Sequence, residues 1–248
     1  MEERSVQAAA AERPIPAAEE STGSPGPAHL ADPRALTILT TEHWSLLTAR
    51  SLVYNEAFAR AGMFLTFLTG TLVALGFVSQ GSGYTSEFLL LATVLLGFDL
   101  FIGLATLGRI SSASAEEIRA MQGMNRLRHA YLEMVPTIEP YFSTSPHDDL
   151  QGILDGATPE RPTFLGNFAH GMTTTPGMVG TITAAVGGAF AAAFVLLLGA
   201  SPMIGIVAGL AAFAILAAVI WLAALRQFQA IERLLEIRFP APPPGSEQ

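Results

Sequence analysis

Asp99 is the one ionisable side chain in an apolar stretch, residues 88–108, that is long enough to cross a bilayer as a helix. A carboxylate near the middle of a membrane is unfavourable by roughly 2.5–3.5 kcal/mol on insertion scales, so Asp99 is expected to face protein or water. One interpretation makes it an ion or proton site, or a carboxylate that lines a pore. The other makes it a protonated structural residue that hydrogen-bonds to Thr66, Thr69 or Thr71 at similar depth.

A polar cluster falls on one face of the helix predicted after residue 109. At about 100° per residue, this face carries Arg119, Gln122, Asn125, Arg126, His129 and Glu133. Because Arg outnumbers Glu over residues 109–129, the face is suited to an anionic ligand or an anionic lipid headgroup. The alternative interpretation is an ordinary solvated helix face.

Arg128 lies apart from this cluster, within the apolar arc of the same helix. A buried guanidinium is costly without a partner. We therefore expect an ion pair with a carboxylate from another helix outside the membrane. The candidates are Glu42, Glu56, Glu232 and Glu236.

The remaining residues offer little catalytic chemistry. All 13 basic residues are Arg and there is no Cys, which excludes Lys Schiff bases, disulfides and thiolate nucleophiles. His147, Asp148 and Asp149 are adjacent, but no further His at a ligand spacing supports a metal site. No hydrolase, zinc-protease or dinucleotide-binding motif is found. We predict a protein that is not an enzyme and needs no metal or cofactor, and the net charge of −8 argues against nucleic acid as a partner.

Four apolar stretches define the architecture. The chain of 248 residues is 50% hydrophobic and 14% charged, whereas soluble domains carry about 25% charged residues. The stretches cover residues 61–79, 88–108, 177–199 and 203–225. The sequence therefore predicts an all-α fold with four transmembrane helices in two hairpins, and a lipid bilayer as the surrounding medium.

The arginines indicate how these hairpins are oriented. Arg60, Arg109 and Arg226 lie directly at span ends, whereas the connections 80–87 and 200–202 contain no Arg. By the positive-inside rule, both termini and the central loop are cytoplasmic, in the cell (inner) membrane.

Small residues recur on the last two spans. Their spacing of four allows the backbones of neighbouring helices to approach closely, either within the hairpin or between subunits of a homo-oligomer. The positions are Gly180, Ala184 and Gly188 on the third span, and Gly205 and Gly209 on the fourth.

Three helical extensions are expected to pack together below the membrane. Before the first span, a coiled-coil-like stripe recurs at spacings of three and four: Trp44, Leu47, Ser51, Tyr54 and Phe58. A second stripe on this helix comprises Leu46, Val53 and Ala57. A capping box at residues 114–117 predicts the start of a separate second extension, and the third carries Trp221, Ala224, Phe228, Ile231 and Leu235.

The chain divides into five predicted parts. A disordered tail (1–33) precedes a long helical hairpin (34–135) and a cytoplasmic loop (136–176) with a short amphipathic segment. The second hairpin with its C-terminal helix (177–239) and another disordered tail (240–248) follow. Within the loop, Asp148 and Asp149 are candidate caps for a short helix, Leu150–Leu154.

Three segments carry a family resemblance: TEHWSLLTARSLVYNEAFARAGMFL (41–65), GMNRLRHAYLEMVPTIEPYF (123–142) and HDD (147–149). Across residues 40–155 the chain resembles an uncharacterised family of actinobacterial integral membrane proteins. This resemblance implies no activity. We expect a non-enzymatic scaffold or assembly module that self-associates. The alternative is an oligomeric ion-conducting or pore-forming protein that uses Asp99, and a transporter ranks third.

Overall fold

The computed structural model describes residues 30–154 and 174–242. These residues form five α-helices and one 3₁₀ helix and contain no strand. The elements are α1 (Ala35–Ser82), α2 (Ser86–Met134), the 3₁₀ helix (Pro136–Tyr141), α3 (Leu150–Leu154), α4 (Thr175–Leu197) and α5 (Pro202–Leu234). Helices α1, α2, α4 and α5 are long and apolar enough to cross a membrane. The predicted all-α class with four such helices is confirmed.

Helices α1 and α2 are much longer than a membrane crossing. Their 48 and 49 residues correspond to about 72 and 74 Å at 1.5 Å per residue, whereas the hydrocarbon core is about 30 Å thick. A short connection joins them, and Gly83 there has a φ of 63°, which favours glycine. Gly199, between α4 and α5, has a φ of 88°.

Helix α2 is continuous, so the predicted start of a separate helix at residue 114 is wrong. The Ser114 hydroxyl donates to the Ile110 carbonyl 3.1 Å away, one turn earlier in the same helix. The hydroxyl therefore caps nothing, and the helix runs on until just before Pro136.

The four long helices pack in the order α1–α2–α4–α5, each against the next. Between α1 and α2, contacts pair Leu46 with Gly123 and Phe64 with Gly103. The residue number on α2 falls as the residue number on α1 rises, so the two helices are antiparallel.

The other two contacts are also antiparallel. Between α2 and α4, Gly97 meets Phe190 and Gly103 meets Thr183. Between α4 and α5, Gly188 meets Gly209 and Gly180 meets Ile220. The N-terminal part of α1 and the C-terminal parts of α2 and α5 consequently lie at one end of the bundle, which we call the extension end.

One stripe of α2 supplies the centre of the bundle. Its buried positions recur every three or four residues: Phe88, Ala92, Leu96, Asp99, Gly103, Thr106, Ile110 and Ala113. They pack against buried residues of α1 and α4, among them Phe64, Val179 and Val186. Helices α1 and α5 are peripheral, and their outer faces expose large apolar side chains such as Phe77 (72%) and Ile215 (64%).

Helix α1 contacts α2 through a different stripe from the leading one predicted. Leu46, Val53 and Ala57 are half-buried, whereas Trp44 (64% exposed) and Phe58 (51%) remain exposed. Two ion pairs between α1 and α2 favour this rotation: Arg50–Glu117 at 2.8 Å and Glu56–Arg109 at 2.8 Å. Spacing alone did not distinguish the two stripes.

The α5 stripe also differs from the expectation. Trp221 and Phe228 are 39% and 40% exposed. Gln227 instead faces α2 and donates to the Ser111 carbonyl at 2.6 Å, and Ile231 and Leu235 are half-buried. The C-terminal part of α5 is thus attached to α2 by a polar contact.

Candidate functional site

The polar face of α2 is covered by two other segments of the chain. Gln122 and Asn125 are only 8% and 3% exposed, so the interpretation as an ordinary solvated face is wrong for these residues. The covering segments are His147–Asp149 and the chain after α5, residues 235–242, which we call the tail. Gln122, Asn125 and Arg126 together with His147, Asp148 and Asp149 form what we call the cradle.

Asp148 is the centre of the cradle and is fully buried. Its carboxylate accepts a hydrogen bond from Arg126 Nε at 2.8 Å. It also accepts from two backbone N–H groups of the tail, that of Phe239 at 2.7 Å and that of Arg238 at 3.1 Å. One carboxylate therefore joins α2, the loop and the tail.

The cradle also binds the carbonyl groups of the tail. Gln122 Nε2 donates to the Glu236 carbonyl at 3.1 Å, and Arg126 donates to the same oxygen. The Phe239 carbonyl accepts from the Asp148 backbone N–H at 3.1 Å. Recognition of the tail therefore runs mainly through its main chain.

Asp149 extends these contacts in two directions. Its Oδ1 accepts from the Gly152 backbone N–H at 2.8 Å, and so caps α3, the short helix predicted here. Its Oδ2 accepts from the Ala241 backbone N–H at 2.9 Å. The predicted disordered tail of 240–248 is thus wrong in its first residues, and residues 243–248 lie outside the described part of the chain.

The tail places one side chain against α2. The ring of Phe239 stacks on the His129 imidazole, with 3.9 Å between centroids and 24° between planes. His129 in turn lies 3.7 Å from the Glu133 carboxylate. Arg119, the remaining member of the predicted polar face, is exposed, and the binding of an anionic headgroup there stays a prediction.

The pKa of Asp148 reflects two opposed effects. Burial raises it, whereas the hydrogen bonds from Arg126 and from the backbone N–H groups of Phe239 and Arg238 lower it. The hydrogen bonds outweigh the burial, so the pKa lies below its ordinary value. The carboxylate is therefore held in its charged form at neutral pH.

Arg128 has an amide partner in place of the expected carboxylate. Its Nη1 donates to Asn125 Oδ1 at 2.5 Å. Burial, and secondarily the charge of Arg50, lower its pKa. Asn125 also donates to the His147 carbonyl at 2.7 Å, so Arg128 acts as a support for the cradle.

In the described part of the chain, none of the four carboxylates expected as partners forms an ion pair with Arg128. Glu56 contacts Arg109 and Arg60, and these hydrogen bonds, Arg109 first, lower its pKa to about 2. Glu236 pairs with Arg238 at 3.0 Å. Among the described residues, Glu42 and Glu232 form no salt bridge. Sequence spacing showed which carboxylates share the extension end, but not which guanidinium each one reaches.

Asp99 is buried in the bundle and not exposed towards lipid. It is 1% exposed, on the α2 stripe one turn from Gly103. Its Oδ2 has no hydrogen-bond partner within the described ranges. The hydroxyls of Thr66 and Thr69 donate to carbonyls of their own helix, at Gly62 and Leu65.

The expected hydrogen bond from α1 to Asp99 is therefore not formed by either of these threonines. Thr71 is half-buried and forms no hydrogen bond to Asp99. Thr106 and Thr183 are further buried polar residues on α2 and α4. The Thr183 hydroxyl donates to the Val179 carbonyl at 2.7 Å.

The small residues of α4 and α5 lie where the two helices approach most closely. A Cβ at Gly188 would lie 2.8 Å from the Gly209 carbonyl oxygen. A Cβ at Gly205 would lie 2.8 Å from the Leu196 side chain, and one at Gly180 3.1 Å from that of Ile220. Ala184 is fully buried. These contacts are all made within one chain.

A groove of about 470 Å³ lies at the extension end between α1, α2 and the start of α4. Tyr54 and Phe58 line one wall, and Ile110 and Ala113 line another. With Trp44 and Leu47, these two aromatic residues form a row of exposed apolar side chains on α1. We call Trp44, Leu47, Ser51, Tyr54 and Phe58 the α1 seam.

Only part of the cradle could be predicted from the sequence. Six polar positions were recognised on α2, but the partnership of Asp148 with Arg126 was not, since they are 22 residues apart in sequence. The signal that was present was the run of His147, Asp148 and Asp149 in the loop after α2. No group of three or more His, Asp or Glu in residues 30–154 and 174–242 is placed to hold a metal ion.

Comparisons of the chain with protein families, with curated proteins and with solved structures found no match.

Proposed function

We propose that this chain is an integral protein of the cell (inner) membrane that self-associates and serves as a non-enzymatic scaffold or assembly module. Its two helix pairs cross the bilayer with the extension end in the cytoplasm. The arginines at the span ends, Arg60, Arg109 and Arg226, support this orientation. The observation that carries the proposal is the exposed α1 seam.

The N-terminal part of the α1 seam lies too far from the membrane to be covered by lipid. Trp44 precedes the apolar span at Ala61 by 17 residues, or about 25 Å of helix at 1.5 Å per residue. Headgroups extend only about 5–8 Å beyond the hydrocarbon core on each side. Trp44 (64% exposed), Leu47 (40%) and Tyr54 (46%) are therefore an apolar surface in water, which is typical of a protein-binding site.

A second copy of the same helix fits this surface. Copies inserted in one orientation have parallel α1 helices, and a two-fold axis along the membrane normal places each seam residue opposite its equivalent. Spacings of three and four are those of a parallel helix pair. The same face of α1 continues into the membrane with exposed Leu65 (41%) and Leu72 (56%), so the contact between copies would run along both parts of the helix.

Oxidative cross-linking in native membranes tests this arrangement. The chain contains no Cys, so a single introduced thiol reports on one position. Ser51→Cys, at the centre of the α1 seam, is expected to give a covalent dimer, because a disulfide requires Cα atoms within about 7 Å. Ala49→Cys, exposed and on the opposite face of α1, is the matched control and is expected to remain monomeric.

A charge in the seam provides a second control. Leu47→Glu in the Ser51→Cys chain is expected to reduce the dimer about tenfold, because two carboxylates would face each other in the contact. Equal cross-linking at positions 49 and 51 would indicate random collision. A correctly inserted Ser51→Cys chain that gives no dimer would contradict self-association through this seam.

An oligomeric ion-conducting protein is the second candidate, and the buried Asp99 with its unpartnered Oδ2 favours it. Ion flux into liposomes, with wild type beside Asp99→Leu, tests this role. Flux that disappears in a folded Asp99→Leu chain with unchanged cross-linking at position 51 is the result expected of a channel. Equal flux, or no flux in either chain, would assign Asp99 a structural role.

A further inference from the structure

We propose that the cradle is a peptide-binding site for an extended segment carrying an aromatic residue followed by proline. The chain's own tail occupies it in this structure, and the tail of a second copy is the partner that fits it in trans. This proposal is independent of the α1 seam, because it concerns another surface and is tested with a free peptide.

The contacts of the tail are those of main-chain recognition. The N–H groups of Arg238, Phe239 and Ala241 donate to Asp148 or Asp149. The Glu236 carbonyl accepts from Gln122, and the Phe239 carbonyl accepts from the Asp148 backbone N–H. In peptide sites of this kind, main-chain hydrogen bonds supply affinity and a few side chains supply specificity.

Two positions of the tail supply the specificity. Phe239 stacks on His129, and its ring is the aromatic anchor. Residue 240 is a proline, which has no N–H group, and it stands between two residues whose N–H groups are bound. A proline there leaves no donor unsatisfied and favours an extended conformation of the residue before it.

The tail is suited to being displaced. The side chains of Glu236 and Arg238 are 71% and 58% exposed, and Ile237 is 50% exposed. Phe239 is thus the main side chain that holds residues 236–239, and few buried apolar contacts oppose local opening. Removing its ring weakens the resident tail without removing any cradle residue.

The experiment measures binding of a fluorescein-labelled peptide of residues 235–242, LEIRFPAP, to the purified full-length chain by anisotropy. Phe239→Ala in the chain is expected to strengthen peptide binding about tenfold over wild type, because the resident tail competes less well. Ile237→Ala is the matched control. Its side chain is exposed, so peptide affinity is expected to equal that of wild type.

Two further arms test the mode of recognition. Asp148→Asn combined with Phe239→Ala is expected to weaken peptide binding about tenfold relative to Phe239→Ala alone. A peptide methylated on the Phe239 nitrogen loses the 2.7 Å hydrogen bond to Asp148 and keeps only the donor at Arg238. Its affinity for the Phe239→Ala chain, whose cradle is unaltered, is expected to fall about tenfold. Failure of the Phe239→Ala chain to bind the peptide, or equal binding of the methylated peptide, would overturn the proposal.

Discussion

The carboxylate of Asp148 is a buried charge that one guanidinium and two backbone N–H groups satisfy. A buried ion of this kind is retained only where its hydrogen bonds are complete, because an unpartnered charge in the interior is strongly destabilising. Two of its three partners belong to the tail and one belongs to α2, so none lies in its own loop. The charge of Asp148 therefore stabilises the packing of the loop against α2 and the tail, and not the conformation of the loop itself.

Attachment of the tail should depend on pH with a defined sign. The pKa of Asp148 is lowered in the folded chain. Its contribution to stability is therefore present above the ordinary pKa of about 3.9 and is lost as the pH falls through the lower folded value. A fluorophore on Pro242→Cys, at an exposed position of the tail, should show high anisotropy at neutral pH and a fall below about pH 4.

The comparison chain for this titration is Asp148→Asn. An amide has no charge to lose and cannot accept the same set of hydrogen bonds, so its anisotropy should be low and nearly independent of pH. A wild-type transition centred above the ordinary pKa of a carboxyl group would show that another residue controls the tail.

Close approach of α4 and α5 rests on Gly188 and Gly209. Gly188→Ala would place a methyl group 2.8 Å from a backbone oxygen, which cannot move as a side chain can. Overpacking of this kind costs about 1–3 kcal/mol, so the thermal midpoint in detergent should fall. Gly70→Ala is the control, because a Cβ there meets nothing within 4 Å, and its midpoint should be unchanged or higher. Equal effects would contradict the close contact.

Helix number and class could be predicted because they depend on local composition and length. The rotation of each helix could not. Trp44 and Leu46 belong to two stripes of α1 that are both apolar, and the choice between them depends on ion pairs with Arg109 and Glu117 of another helix. The capping box at residue 114 failed for a related reason, since a helix already formed upstream continues through it.

Helix α2 contacts both α1 and α4, and its polar face also receives the tail. The 3.6-residue periodicity predicts the polar face of α2, but it does not predict that the loop and the tail cover this face. Gln122 and the Glu236 carbonyl are separated by 114 residues in sequence, and a pattern within one helix carries no information about such a partner. The cost of placing a charge in lipid predicts that Asp99 faces protein or water, and Asp99 is buried in the bundle.

Because the cradle holds the tail mainly by its backbone, the two sides of this contact differ in how freely they can change during evolution. Glu236, Arg238 and Ala241 contribute peptide groups that almost any residue would supply equally well. Asp148 and Gln122 contribute side chains, and few replacements offer the same atoms. Substitutions should therefore accumulate in the tail while the cradle residues stay constant. A C-terminal segment of different sequence could bind the same cradle without any change in the cradle residues.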